Sequence, residues 1–219
     1  MQKTLRVTGK GTISVAPDTT VLRIELNGRE REYDKIVKRS SLDLKMLKKA
    51  IFDLGFEQSA LKNIDYDIRP EYEGKTDKKG NYKREFVGYK YSREMKLTFP
   101  KSASRLGEVM EAIMGCGVDP ELSLYYTILD TESAKNLLLE RAVADCRAKA
   151  GALARGAGIE IGEILNVDYS FVKISFDTEP QGLERVSMCM CAEKDDLDFD
   201  LDPEDIDISD NVTVIYEIK

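Results

Sequence analysis

The sequence predicts an α+β fold, a mostly antiparallel sheet packed against one long helix and two shorter ones. Three observations carry that prediction. Residues 132–158, ESAKNLLLERAVADCRAKAGALARGAG, place Ala134, Leu138, Ala142, Cys146, Ala150, Leu153 and Ala157 at spacings of three and four, so they share one helical face. Several other stretches instead alternate apolar and polar residues with period two, as half-buried strands do. In chain order these elements read ββαββ and then αβαββ, with the helices set apart from the strands.

The long helix has marked ends. Thr131 or Ser133 can accept from the free amides of its first turn, and Asp130 and Glu132 suit the positive end of its dipole. Lys149 and Arg155 sit toward the negative end, and Gly156 or Gly158 can take the left-handed closing conformation. Its second half is rich in Ala and Gly, so its backbone is expected to lie unusually close to whatever covers it.

Taken from the N-terminus, residues 4–28 read as a hairpin: Leu5, Val7, Ile13 and Val15 line one arm, Leu22, Ile24 and Leu26 the other, and Pro17-Asp18 marks the bend. Gly9 and Gly11 interrupt the first arm and point to a bulge or a close backbone approach. A phosphate loop is excluded, because GKGTIS lacks the third glycine of GxGxxG. A helix over about 34–54 turns Ile36, Leu44, Leu47, Ile51 and Leu54 inward and closes at Gly55, and its outer face is basic at Lys35, Lys38, Arg39, Lys45, Lys48 and Lys49. Two long strands follow, one carrying Ile64, Tyr66, Ile68 and Tyr72, the other Val87, Tyr89, Tyr91, Met95, Leu97 and Phe99. Their tyrosines are expected to pack in the sheet, and the connection 73–85, EGKTDKKGNYKRE, is too charged to do so and is expected to project. A helix over about 102–115 buries Leu106, Val109, Met110 and Ile113, and strands are expected at 122–129, 162–176 and 211–219.

Composition narrows the chemistry. At 219 residues the chain is one domain over 1–219, or two α+β halves of about 1–100 and 101–219, with an acidic insert or flap at 178–210. Net charge is −7, yet residues 193–210 alone hold ten acids against Lys194, so the remainder is close to neutral. That balance argues against a nucleic acid partner. No apolar run approaches the roughly 20 residues of a membrane helix, and no apolar leader opens the chain, which predicts a cytoplasmic protein. Four cysteines, Cys116, Cys146, Cys189 and Cys191, are too few for a disulfide scaffold and are expected to be reduced.

The residues VTGKGTISVAPDTTVLRIEL, GYKYSREMKLTF and ERAVADCRAKAGALARGAGIEIGEI, in that order, resemble the SIMPL-domain family of bacterial proteins. The third is similar to that family's A-x-x-D-A-x-x-K-A-x-x-L-A-x-x-x-G-x-x-x-G pattern, with Cys146 where an alanine is usual. The acidic insert is not part of the pattern. The resemblance implies an α+β domain that assembles into higher oligomers, with no agreed catalytic residues to carry over.

With no histidine anywhere, Ser-His-Asp and Cys-His catalysis and every histidine metal site are excluded. Cys146 has Arg147 and Lys149 beside it, which favour a thiolate, but its place in the apolar stripe suits a small buried hydrophobe. Met188-Cys189-Met190-Cys191 is the one soft-ligand cluster, and in a strand its two thiols would share one face while its thioethers faced the other. DLDFDLDPEDID lacks the glycine turn and spaced terminal Glu of an EF-hand loop and suits an edge strand or flap. No catalytic residue, cofactor or metal ligand is therefore assigned. The leading expectation is a non-enzymatic, self-associating or protein-interaction module whose acidic flap meets the basic helix of a neighbouring copy. Two alternatives stay open: an enzyme or redox sensor with Asp145, Cys146 or Tyr66 converging in a pocket, and a metal-binding protein using Cys189, Cys191 and the acidic segment.

Overall fold

The computed structural model describes residues 3–76, 82–169, 174–182 and 202–219. The element order is β1 (Thr4–Val15), β2 (Thr19–Glu30), α1 (Tyr33–Asp53), β3 (Leu61–Thr76), β4 (Tyr82–Pro100), α2 (Ala103–Gly115), β5 (Glu121–Thr127), α3 (Thr131–Ala157), β6 (Ile161–Asp168), β7 (Gln181–Gly182) and β8 (Ile206–Ile218). This is the expected α+β order with one two-residue strand added. The strands form a three-stranded sheet, β1-β8-β6, and a five-stranded sheet, β3-β4-β2-β5-β7. The chain divides into two compact units, one made of 1–18, 127–178 and 203–219, the other of 19–126 and 179–202.

The first unit is the three-stranded sheet with α3 on one face. Strands β1 and β8 run antiparallel with Val7 opposite Val214, Gly9 opposite Val212, Gly11 opposite Asp210 and Ile13 opposite Ile208. Alternation turns Val7, Val212, Val214 and Tyr216 onto Ala142, Cys146 and Ala150 of the helix, and Ile13, Ile206 and Ile208 onto Ala134 and Leu138. Between those two clusters the strand offers only Gly9 and Gly11. A Cβ on Gly9 would stand 2.2 Å from the Ala142 carbonyl oxygen, and one on Gly11 2.0 Å from that of Leu138. Both glycines are therefore there for backbone approach, which small residues on α3 reciprocate. The helix starts at Asp130, whose carboxylate accepts from the Ser133 amide at 2.9 Å, and ends at Gly158 with φ of 66°.

The second unit packs α1 and α2 on one face of the five-stranded sheet. Leu22, Ile24 and Leu26 of β2, Tyr91, Met95, Leu97 and Phe99 of β4, and Leu124 and Tyr126 of β5 meet Ile36, Leu47 and Ile51 of α1 and Leu106, Val109, Met110 and Ile113 of α2. Each such aliphatic side chain contributes about 1.5–3 kcal/mol when fully removed from water. Ser102 caps α2, its hydroxyl accepting from the Arg105 amide at 3.3 Å.

Several expectations are corrected. β1 and β2 are not a hairpin: they pair with β8 and β4 in different sheets, because alternation shows which face is buried and not which strand lies alongside. Pro17-Asp18 instead ties back to the start of α3, the Asp18 carboxylate accepting from the Leu129 amide at 2.9 Å. On α3 the cap is Asp130, and the buried stripe steps strictly by four through Ala154, leaving Leu153 and Ala157 exposed. The tyrosines divide: Tyr91 is wholly buried, but Tyr72 and Tyr82 are exposed where β3 and β4 run on past the end of β2 as a two-stranded arm, and Tyr66 is exposed on the edge strand β3. That arm includes much of the stretch expected to be loop, with Lys75 and Glu85 ion-paired across it at 2.7 Å. The strand expected over 162–176 stops at Asp168, and the closing strand starts earlier, at Ile206. The acidic stretch thus ends inside β8, where Asp210 is buried and accepts from the Tyr169 hydroxyl at 3.0 Å and the Asn211 amide at 2.7 Å.

Candidate functional site

In the three-stranded sheet β1 is an edge strand, and the outward amides and carbonyls of an open edge invite another strand. Here α3 covers them. Lys149 Nζ donates to the Thr8 carbonyl at 3.3 Å, the Lys10 amide donates to Asp145 Oδ2 at 2.7 Å, and Arg141 Nη1 donates to the Thr12 carbonyl at 2.7 Å. Four helical residues advance about 6 Å and two strand residues about 6.8 Å, so a rank at 141, 145 and 149 meets one at 12, 10 and 8. Asp145 also pairs with Lys149 at 2.7 Å. The Lys149 hydrogen bond, and after it the Lys10 amide, hold the Asp145 carboxyl below the usual carboxylate range.

Cys146 lies one residue further round the same helix and is fully buried. Its Sγ is 3.2 Å from the Val212 carbonyl oxygen and 3.6 Å from that of Val7, with Val7, Val212, Val214 and Tyr216 around it. Burial pushes the pKa of the neighbouring Tyr216 hydroxyl above the ordinary tyrosine value, and Cys146 adds to that. The thiol occupies the place of a small apolar side chain, packed among the apolar residues of the sheet and helix. Asp145 points to the strand edge and Cys146 into the core, while Tyr66 belongs to the other unit, with the Arg93 guanidinium 3.8 Å above its ring. The structure does not bring the three together.

Cys116 and Cys146 are free thiols. Met188, Cys189, Met190, Cys191 and the acids from Glu193 to Asp200 lie outside the described residues, and so does the metal alternative built on them. Among the described residues no group of three or more His, Cys, Asp or Glu side chains is placed to hold a metal ion.

The basic face of α1 is present as an exposed stripe. Lys38, Leu42, Lys45 and Lys49 follow one another at spacings of four and three, with Lys48 beside them, and Leu42 is 56% exposed. Lys35 is paired with Glu32 at 2.7 Å, and Arg39 with Glu30 at 3.4 Å and Asp43 at 3.8 Å. Lys38, Lys45, Lys48 and Lys49 form no ion pair among the described residues.

Sequence reasoning missed a polar contact beneath that helix. The buried Tyr91 hydroxyl donates to the Asp43 carboxylate, and burial, followed by that hydrogen bond, pushes its ionisation well above the ordinary tyrosine value. Gly28, opposite Tyr91, makes room for the ring: a Cβ there would stand 2.4 Å from it. A glycine inside an otherwise apolar strand was the available signal.

The SIMPL motifs implied an α+β domain, and the structure has that class, with two antiparallel sheets, one long helix and two shorter ones. Over residues 5–216 the chain matches the SIMPL family, described as proteins of unknown function, and it belongs to that family. It is 23% identical over 216 residues to the 26 kDa periplasmic immunogenic protein of Brucella abortus, covering 98% of this chain and 84% of the relative. The protein of the same name in Brucella melitensis is 22% identical over the same shares. The uncharacterized protein YggE of Edwardsiella ictaluri is 22% identical over 177 residues, 79% of this chain and 70% of the relative. These names correct the expectation of a cytoplasmic protein, since both Brucella relatives are named periplasmic. That expectation rested on how the chain begins, which carries no information about compartment. No helix among the described residues is long and apolar enough to cross a membrane.

Proposed function

We propose that this chain is a non-enzymatic, self-associating SIMPL module of the periplasm, in which the acidic segment 193–205 of one copy meets the lysine stripe of α1 on another. The observation that carries the reading is the stripe itself: Lys38, Lys45, Lys48 and Lys49 stand exposed without a carboxylate partner among the described residues. The sequence supplies the opposite charge in one block, eight acids against Lys194 between 193 and 205, of which Asp202 is already paired with Lys101 at 2.9 Å. Asp207 and Asp210 are left out because the first accepts from Ser14 and the second is buried. The periplasmic placement is supported by the names of the two Brucella relatives. Exposed Leu42 amid the lysines offers an apolar contact for Leu197, Phe199 or Leu201, which alternate with the acids.

The test is light scattering on the purified chain across a salt series. Charges at the rim of an interface are screened over about 10 Å at 0.1 M salt. The expected result is an oligomer at low salt whose mass falls as salt rises. A monomer at high protein concentration and low salt overturns the proposal.

A further inference from the structure

The β1 and β8 pairing carries an open groove of about 520 Å³, lined by Lys10, Thr12, Ser14, Arg141, Asp207 and Ser209, with Ile13 and Ile208 between them in the strands. That volume falls within the roughly 300–1,000 Å³ of small-molecule sites. Its lining is sorted by charge. Lys10 stands at one end and Arg141 beside it at Thr12, which lies opposite Ser209, and neither cation forms an ion pair among the described residues. Arg141 spends one Nη1 hydrogen on the Thr12 carbonyl at 2.7 Å, which fixes the guanidinium and leaves its other donors unclaimed there. The Lys10 amide is held by Asp145, so the backbone is anchored while the ammonium is uncommitted. Asp145 itself is paired with Lys149 at 2.7 Å and is not a partner for either cation. At the other end Ser14 donates to Asp207 Oδ1 at 2.6 Å, and Ser209 stands nearby on the same exposed face.

We propose that this groove binds a small hydroxylated oxyanion, a sugar phosphate or a sugar acid. A fixed guanidinium presents a planar fork to a carboxylate or phosphate, and a lysine adds a point charge. The carboxylate of Asp207 repels a second anionic group at the far end but accepts hydrogen bonds from hydroxyls, with the Thr12 and Ser209 side chains alongside. The pattern therefore fits an anion at one end of the ligand and hydroxyls at the other. The site lies wholly within one unit and is independent of the α1 stripe, so either proposal can fail without the other.

The experiment titrates the full chain with glucose 6-phosphate, gluconate and neutral glucose, followed by backbone amide chemical shifts and calorimetry. Saturable binding of either anion, with shifts at Thr12, Ser14 and Ser209 and none with glucose, is the expected result, and which anion binds identifies its source. Lys10→Ala should weaken that binding about tenfold, as loss of one charge-assisted contact does. Because the Lys10 amide and not its side chain meets Asp145, this variant retains the edge contact, and an unchanged unfolding midpoint checks that. Arg141→Lys keeps a donor for Thr12 but loses the fork, and should weaken phosphate and carboxylate alike. No saturable binding of either anion, equal binding of glucose, or an affinity untouched by Lys10→Ala overturns the assignment.

Discussion

Gly9 on β1 lies directly against the backbone of α3 at Cys146: a Cβ on the glycine would stand 2.5 Å from the Cys146 amide nitrogen and 2.7 Å from its Sγ. Since the nearest atoms are backbone, no rotamer change can relieve the overlap. Gly9→Ala should therefore destabilise the chain by about 2–4 kcal/mol, through displacement of a strand from a packed helix. Gly115→Ala is the control, because nothing lies within 4 Å of that position. Urea unfolding of both variants checks this, and a Gly9→Ala midpoint no lower than that of Gly115→Ala would contradict the close approach.

The same packing makes Cys146 inert. With its thiol fully buried and facing two carbonyl oxygens, alkylation in the native state should leave Cys146 unmodified while the half-buried Cys116 reacts. Peptide mass mapping after a timed pulse of reagent distinguishes the two. Labelling of Cys146 ahead of Cys116 would revive the sensor reading that the geometry now disfavours.

How much of this was legible beforehand depends on the range of the contact. The small residues of α3, its Gly158 terminus and the inward faces of α1 and α2 follow from periodicities within one element, and the sequence shows them directly. The partner of β1 does not, because Gly9 faces Val212 across about two hundred residues and a two-residue alternation is equally satisfied by any neighbour. That is why the first two strands read as a hairpin. The edge contact of Arg141, Asp145 and Lys149 was invisible for a related reason. Charges every four residues on a helix look like a solvated face until the strand beside them is known. Burial of Asp210 and the Tyr91–Asp43 contact run against residue type, and only the tertiary structure supplies their partners.

Asp145 should leave a signature in acid. Its folded carboxyl is held below the ordinary value by Lys149 and the Lys10 amide, so the unfolded chain takes up that proton first as pH falls. The stability it brings is present above the unfolded value of about 4 and is lost as pH drops through the lower, folded one. Asp145→Asn should accordingly be less stable than the parent near neutrality, with the gap closing below about pH 4. Unfolding midpoints across that range read the effect, and a gap independent of pH would show that charge at Asp145 is not its source.

Tyr91 should act at the opposite end of the scale. Its folded ionisation lies above the unfolded value of about 10, so its contribution is complete below that pH and is lost as pH rises toward the folded value. Tyr91→Phe leaves Asp43 without its buried donor and should cost about 1–3 kcal/mol at neutral pH. It should also flatten the alkaline limb of the stability curve, which denaturant titrations above neutrality can follow. An alkaline limb that keeps its slope in the variant would assign the loss to other tyrosines.

The lysine stripe of α1 yields the sharpest test of assembly, because its residues are exposed and a change there need not disturb the fold. Lys45 and Lys49 are four apart on one helical face, and Lys45→Glu with Lys49→Glu reverses charge where we propose that the acidic segment of another copy docks. Like charges across an interface cost more than lost attraction, and rim charges act on association rate and salt sensitivity before they act on packing. The double variant should stay folded by circular dichroism, yet shift to the monomer at low salt, where the parent is expected to associate. Adding salt should then change its mass little, since the attraction that salt screens has been removed. A variant that assembles like the parent, with the same salt response, would place the contact on a surface other than α1.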